Sequence, residues 1–181
     1  LARLVAIEEA RLGADAPEVG ELRINLGTAH WRTKDLDAAE QHLRQAIAIF
    51  EAHPEYPLKD RLPHALNTLS GVLEEAGRID EAVALGREAL RIGERDLGPD
   101  HAKLGGILNN LARALQNQGH PAESEPLYHR AIAIVSAGLG PEHPAIGALS
   151  FNLGRLKRSQ QQNRDAQVWL ERSLSIRKAA M

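Results

Sequence analysis

Eight histidines, His30, His42, His53, His64, His101, His120, His129 and His143, are the residues best suited to metal or acid–base chemistry in this sequence. Two ligands on one helix face need a spacing of about four residues. No histidine pair has that spacing, and no Asp or Glu stands beside one in a ligand pattern. The serines, Ser70, Ser124, Ser136, Ser150, Ser159, Ser173 and Ser175, show no pairing with a base. Gly98 and Gly105-Gly106 lack the preceding strand and the Gly-Lys-Ser/Thr ending that a phosphate loop requires. There is no cysteine, which removes disulfides, thiolate catalysis and cysteine-held zinc. The chain therefore reads as a non-enzyme, with no catalytic residues, no metal and no cofactor.

The chemistry that recurs is of another kind. A Leu-small pair, Leu26-Gly27, Leu69-Ser70, Leu111-Ala112 and Leu153-Gly154, repeats at a period of about 42 residues. Two further frames keep the same intervals: Ala39, Ala82, Ser124 and Ala166, then Ala46, Ala89, Ala131 and Ser173. A fixed period of this size marks a solenoid, whose units bury their apolar faces only against one another. Each unit reads as two helices. In the third, Leu104, Ile107, Leu108, Leu111, Ala112 and Leu115 recur at three- and four-residue steps, an amphipathic helix A. Gly119-His120-Pro121 turns the chain into helix B, where Leu127, Ala131, Ile132 and Ile134 follow.

Four repeats are expected, at 16–52, 60–96, 101–138 and 143–178, forming a single array over 1–181. Residues 1–11 are expected to be the end of a preceding helix B, so that the sequence starts inside a repeat and belongs to a longer array. The connector Leu139-Gly140-Pro141-Glu142-His143-Pro144 has its counterpart in Leu97-Gly98-Pro99-Asp100-His101-Ala102. Another connector, His53-Pro54-Glu55-Tyr56-Pro57-Leu58, carries an extra residue and two prolines. It is the expected place for a kink or a mobile loop, with the next helix starting near Asp60 as N-cap. The turn glycines Gly77 and Gly119 are replaced by Lys34 and Gln161 in the outer repeats. In the fourth repeat Ser150 and Lys157 replace Leu108 and Leu115, which reads as the polar face of a capping repeat.

Apolar residues make up 43% but aromatics only 3%, so the core is Ala, Leu and Ile, side chains suited to close helix packing. The formal charge of −2 provides no basic field for nucleic acid, and no apolar stretch approaches membrane-spanning length. Neither a nucleic-acid nor a membrane partner is expected, and a cytoplasmic location is the working expectation.

Leu108-Asn109-Asn110-Leu111-Ala112, Gly77-Arg78-Ile79-Asp80-Glu81-Ala82 and Glu125 to Ile134 with the following Leu-Gly-Pro connector resemble the tetratricopeptide repeat in its longer, kinesin-light-chain form. The resemblance covers nearly the whole chain. It implies an all-α fold, a right-handed α-solenoid of tandem helix-turn-helix units, and a protein-interaction scaffold with helix A lining a concave, peptide-binding groove.

Carried onto this sequence, the groove positions are Asn25, Asn67, Asn109, Asn110 and Asn152, with Arg113, Arg155, Arg158 and Trp31 further along helix A. An amide donates and accepts, so an asparagine ladder can pair with an extended peptide backbone. It can equally bond to neighbouring helices. The three arginines suit capture of an acidic or C-terminal-carboxylate peptide, or pair with nearby acids as solvated side chains. Trp31 is an apolar anchor for a partner or a cover for the first turn; Trp169 is expected to face packing. Two other functions remain open: self-association into homo-oligomers through the solenoid ends, where apolar faces are exposed, and service as the peptide-sensing regulatory module of a larger protein.

Overall fold

The computed structural model describes residues 2–179, all-α and without strands among them. Leu1, Ala180 and Met181, the ends of the expected 1–181 array, lie outside the described residues. The helices are α1 (Ala2–Leu12), α2 (Pro17–Arg32), α3 (Leu36–Ala52), α4 (Arg61–Glu75), α5 (Ile79–Leu97), α6 (Leu104–Asn117), α7 (Pro121–Leu139), α8 (Pro144–Ser159) and α9 (Asn163–Ala179). They fall into two compact units, Leu1–Leu97 and Gly98–Met181. In the N-terminal unit α1 packs on α2, and the hairpins α2–α3 and α4–α5 meet through α3 and α4; in the C-terminal unit α6–α7 meets α8–α9.

Each hairpin closes on small residues. A Cβ added to Gly27 would lie 2.8 Å from Leu43 Cγ and 3.1 Å from the Ala39 carbonyl oxygen. One added to Gly154 would meet Leu170 Cγ at 2.8 Å and the Ala166 carbonyl at 3.3 Å. In α4 the same place is held by Ser70, whose hydroxyl donates to the Ala82 carbonyl at 2.8 Å. The first and second sequence frames are thus the two sides of one backbone-to-backbone seam. The third frame makes a second crossing, where the Ser173 hydroxyl donates to the Gly147 carbonyl at 2.6 Å. Apolar stripes flank these seams: Leu104, Ile107, Leu108, Leu111, Ala112 and Leu115 of α6 are all buried, each large side chain contributing roughly 1.5–3 kcal/mol. On α1, Val5 packs with Val19, Leu26 and Ile49, while Leu4 and Ile7 are exposed.

All four hairpin turns share one geometry. The residue after the helix A C-cap has positive φ: Lys34 at 67°, Gly77 at 80°, Gly119 at 90° and Gln161 at 62°. The next N–H bonds back five residues, as in Asp35 to His30, Arg78 to Leu73, His120 to Leu115 and Gln162 to Lys157. This is the Schellman cap, and it favours glycine. A side chain in this region costs about 1–2 kcal/mol, against about 0.5–1 kcal/mol for the entropy that glycine loses on folding. Gln161→Gly is therefore expected to stabilise the C-terminal unit by roughly 0.5–1 kcal/mol, read as a rise in the denaturation midpoint followed by Trp169 fluorescence. An unchanged or lower midpoint would contradict the strain.

The recurring connector histidines have a local task. His143 Nδ1 accepts the Ala145 N–H at 3.2 Å and His101 Nδ1 accepts the Lys103 N–H at 3.1 Å, each at the start of a helix A. At α4 the helix follows Asp60, but the Asp60 carboxylate caps no N–H, and Pro63 occupies the third helical position. The connector before it is held at several points. The Tyr56 hydroxyl donates to Glu21 at 2.7 Å, the Phe50 ring lies 6.0 Å away, and Lys59 Nζ donates to the Pro54 carbonyl. The hydrogen bond to the Glu21 carboxylate pushes the Tyr56 pKa up to about 12.

One expectation is corrected. Ser150 and Lys157 do not form a polar outer cap, for both are buried. They keep the inward register of Leu108 and Leu115, and Lys157 Nζ reaches Glu125 of α7 at 2.5 Å. A long aliphatic stem fills the apolar position while its ammonium finds a carboxylate.

Candidate partner-binding surface

The helix A face of the C-terminal unit carries a connected row of amides. Asn152 Nδ2 of α8 donates to Asn109 Oδ1 of α6 at 2.8 Å, and Asn109 Nδ2 donates to Asn110 Oδ1 at 3.3 Å. All three are half-buried. The structure therefore brings together three of the five asparagines and ties successive A helices through them. Because each amide both gives and receives, the row is polarised in one direction. Arg113 of α6 is half-buried and Arg155 of α8 is exposed.

Other positions lie elsewhere. Arg158 lines a depression with Asn163, Ala166, Gln167, Leu170 and Leu174, on the face of α8–α9. In the N-terminal unit Asn25 is exposed beside Leu4, Glu8, Glu18, Glu21 and Leu22, between α1 and α2, and Asn67 is half-buried on α4. Two positions beside asparagines are closed to any ligand: Ile24 is buried, and Thr68 is buried with its hydroxyl bonded to the His64 carbonyl.

Trp31 spans from α2 to α4. A Cβ on Gly71 would lie 2.5 Å from the tip of its ring, and its Nε1 donates to Glu75 Oε2 at 2.6 Å. Lys34 pairs with the same carboxylate. Trp169 meets the His129 ring edge-on at 5.5 Å, with the Arg172 guanidinium 5.7 Å from its own centroid, a packing position between α7 and α9. Glu125 accepts from both Lys157 and Gln160, and the Lys157 hydrogen bond is the main reason its carboxyl is held below the ordinary glutamate range.

The histidines form no ligand cluster: among the described residues no group of three His, Asp or Glu side chains could hold a metal ion. His30 and His42 stack at 5.5 Å. Burial lowers the His42 pKa, and the neighbouring Arg23 and His30 lower it further. Arg23 also donates to Gln45 of α3 and pairs with Glu9 of α1, so it fastens α1 to the hairpin. Sequence reasoning missed Arg177, whose guanidinium lies 5.1 Å from the Phe151 ring centroid. The available signal was the helical stripe Leu170, Leu174, Arg177, spaced by four and three.

Small-residue seams, repeated caps and a partly polar helix A face define a helical-repeat interaction protein. Tetratricopeptide-repeat models match residues 1–52, 61–121 and 103–179, and the chain belongs to the tetratricopeptide-repeat family. Among solved structures it is similar to the nearly identical TPR-like repeats of a candidate kinesin light chain from Podosopora anserina, in a single-substitution form. That match has 25% identity and a TM-score of 0.76, covering 99% of this chain and 84% of the other. BtubC (BKLC) from P. vanneervenii gives 20% identity and a TM-score of 0.75, covering 91% and 66%. Aspartyl phosphate phosphatase F from Bacillus subtilis gives 16% identity and a TM-score of 0.77, covering 91% of this chain and 41% of its own; at these identities the two show the shared fold alone. No curated protein matches. The fold class is thus the TPR α-solenoid, and the architecture is that of a protein-interaction scaffold. No helix among the described residues is long and apolar enough to cross a membrane.

Proposed function

We propose that the helix A face of the C-terminal unit binds an extended, acidic segment of a partner protein. The observation that carries this reading is the amide row Asn152–Asn109–Asn110, which joins two successive A helices, with Arg113 and Arg155 each three residues further along its own helix. An extended backbone presents alternating N–H and C=O groups, and partly exposed amides already linked to one another lose little freedom on meeting it. Guanidinium groups take carboxylates in two-point contacts, which adds selectivity for acidic sequences.

The test is a peptide-array screen followed by calorimetry on the best acidic and neutral sequences. Acidic peptides are expected to bind best. Arg113→Ala and Arg155→Ala are each expected to weaken them about tenfold, near the ~1.5–3 kcal/mol of a hydrogen bond to a charged group. Asn109→Ala should weaken acidic and neutral peptides alike. Equal binding of acidic and neutral peptides, or arginine variants without effect, would sink the proposal.

A further inference from the structure

The first hairpin breaks the repeat at three linked places. Arg23, His30 and His42 stand one period before Leu66, Leu73 and Leu85, and two periods before Leu108, Leu115 and Leu127. Leu66, Leu73, Leu108 and Leu115 are buried. Where the later hairpins place leucines, α2–α3 places a guanidinium and two imidazoles. Ionisable groups in an apolar register need partners, since burial opposes their charge.

The three groups touch. The His30 and His42 rings stack at 5.5 Å with an interplanar angle of 26°. Arg23 Nη1 lies 3.4 Å from His42 Nδ1. Arginine has no acceptor, so Nδ1 accepts, and the neutral ring keeps its proton on Nε2. The same guanidinium donates to Gln45 and pairs with Glu9, reaching from α2 to α3 and α1 at once. Its side chain is 14% exposed and has little water to turn to. The acids in these contacts are Glu9 on Arg23 and Asp35, 3.0 Å from His30 Nδ1. None of the groups acting on the His42 ring comes from α4, the other helix packed on α3.

A proton on His42 undoes this arrangement. It occupies the Nδ1 lone pair that receives Arg23 and sets an imidazolium against the guanidinium. The ring also becomes a donor at both nitrogens. Gln45 favours the charged ring through a hydrogen bond, so two cations then compete for one amide oxygen. Arg23 keeps Glu9 but loses its footing on α3. Burial, then Arg23, then His30 resist the charge on His42 and hold its pKa below the ordinary histidine value. The stabilisation is therefore complete above that ordinary value and is lost as pH falls through the folded one.

We infer that Arg23, His42 and Glu9 form a proton-sensitive latch, which holds α1 to the α2–α3 hairpin while His42 is neutral and loosens it when His42 takes a proton. The backbone can follow, because Gly13 has a φ of 96° and open space where a Cβ would stand. The ligand of this site is the proton, and the amide row on α6 and α8 plays no part in it.

The test is hydrogen exchange by mass spectrometry on the full chain at about pH 7.5 and about pH 5, corrected for intrinsic exchange, with proton NMR of the histidine rings. The α1 amides are expected to lose about three- to tenfold of their protection on acidification, relative to those of α8–α9. His42→Leu, which installs the residue found at Leu85 and Leu127, should keep α1 protected at both pH values. Arg23→Gln keeps a donor but removes the charge, and should raise the His42 titration midpoint. His30→Leu should leave the pH dependence in place. A parent chain whose α1 is as protected in acid as at neutral pH overturns the inference, as does an equal loss in α8–α9. So does a His42→Leu chain that still loses α1 protection in acid or lacks it at both pH values, a His30→Leu chain that no longer responds, or an Arg23→Gln midpoint no higher than the parent's.

Discussion

Replacing Glu125 with alanine is expected to destabilise the C-terminal unit by about 2–3 kcal/mol, short of the ~3–5 kcal/mol for a fully buried pair. The Lys157 side chain is 10% exposed, whereas Glu125 at 29% still reaches water. Without Glu125 the ammonium remains in an apolar register with its principal acceptor gone. Lys157→Leu should behave in the opposite way. It restores the residue found one period earlier at Leu115, which is buried, and should leave stability unchanged or raised. Denaturation followed by Trp169 fluorescence reads both, since that ring sits against His129, one turn from Glu125. If Lys157→Leu costs as much as Glu125→Ala, the pair is a source of stability and not a compensated burial. Acid should reproduce part of the effect. The Glu125 pKa is depressed in the folded chain, so its stabilisation is complete above the ordinary glutamate pKa. It is lost as pH falls through the folded value, and Glu125→Ala should remove this acid-sensitive component.

Trp31→Ala should cost the N-terminal unit about 2–3 kcal/mol, below the ~3–5 kcal/mol of a fully buried tryptophan because the ring is half-exposed. The loss comprises the ring's packing on Gly71 and its hydrogen bond to Glu75. Hydrogen exchange of the α2 and α4 amides measures it. Gly71 supplies the sharper test. In the parent chain Gly71→Ala forces its Cβ against the ring at 2.5 Å and should destabilise. With Trp31 already alanine the obstruction is gone, and Gly71→Ala should stabilise by up to about 1 kcal/mol through helix propensity. A substitution that fails to change sign between the two backgrounds would show that the ring does not rest on Gly71.

The period made the helical hairpins legible because close helix crossings demand small side chains at fixed intervals. Gly27, Ser70 and Gly154 meet the partner helix at the places their frame predicts. The turn positions were equally legible, down to Lys34 and Gln161 standing in glycine's place, because a Schellman cap is set by backbone geometry alone. Ser150 and Lys157 were misread because polarity was allowed to outweigh register; their frame is that of two buried leucines. The Tyr56–Glu21 contact had no signal, as it joins a non-repeating connector to a helix 35 residues earlier. On the binding surface, the asparagines were visible as a recurrence, but the sequence left open whether they faced a ligand or one another. The Asn152–Asn109 and Asn109–Asn110 bonds show that these three contact one another while remaining partly exposed.

The seams also determine where the protein can yield. With the Ala39 and Ala166 carbonyl oxygens only 3.1 and 3.3 Å from where a Cβ on Gly27 and Gly154 would stand, these hairpins have little slack in which their two helices could slide or part. Each behaves as a stiff strut. Give must come from the joints beside the struts, where Gly13 and Gly140 hold the backbone at φ of 96° and 92°. Accommodation of a bulky partner is then a matter of pivoting whole helices and hairpins about these points, so stiffening one joint should alter how fast a partner is captured more than how any single hairpin melts.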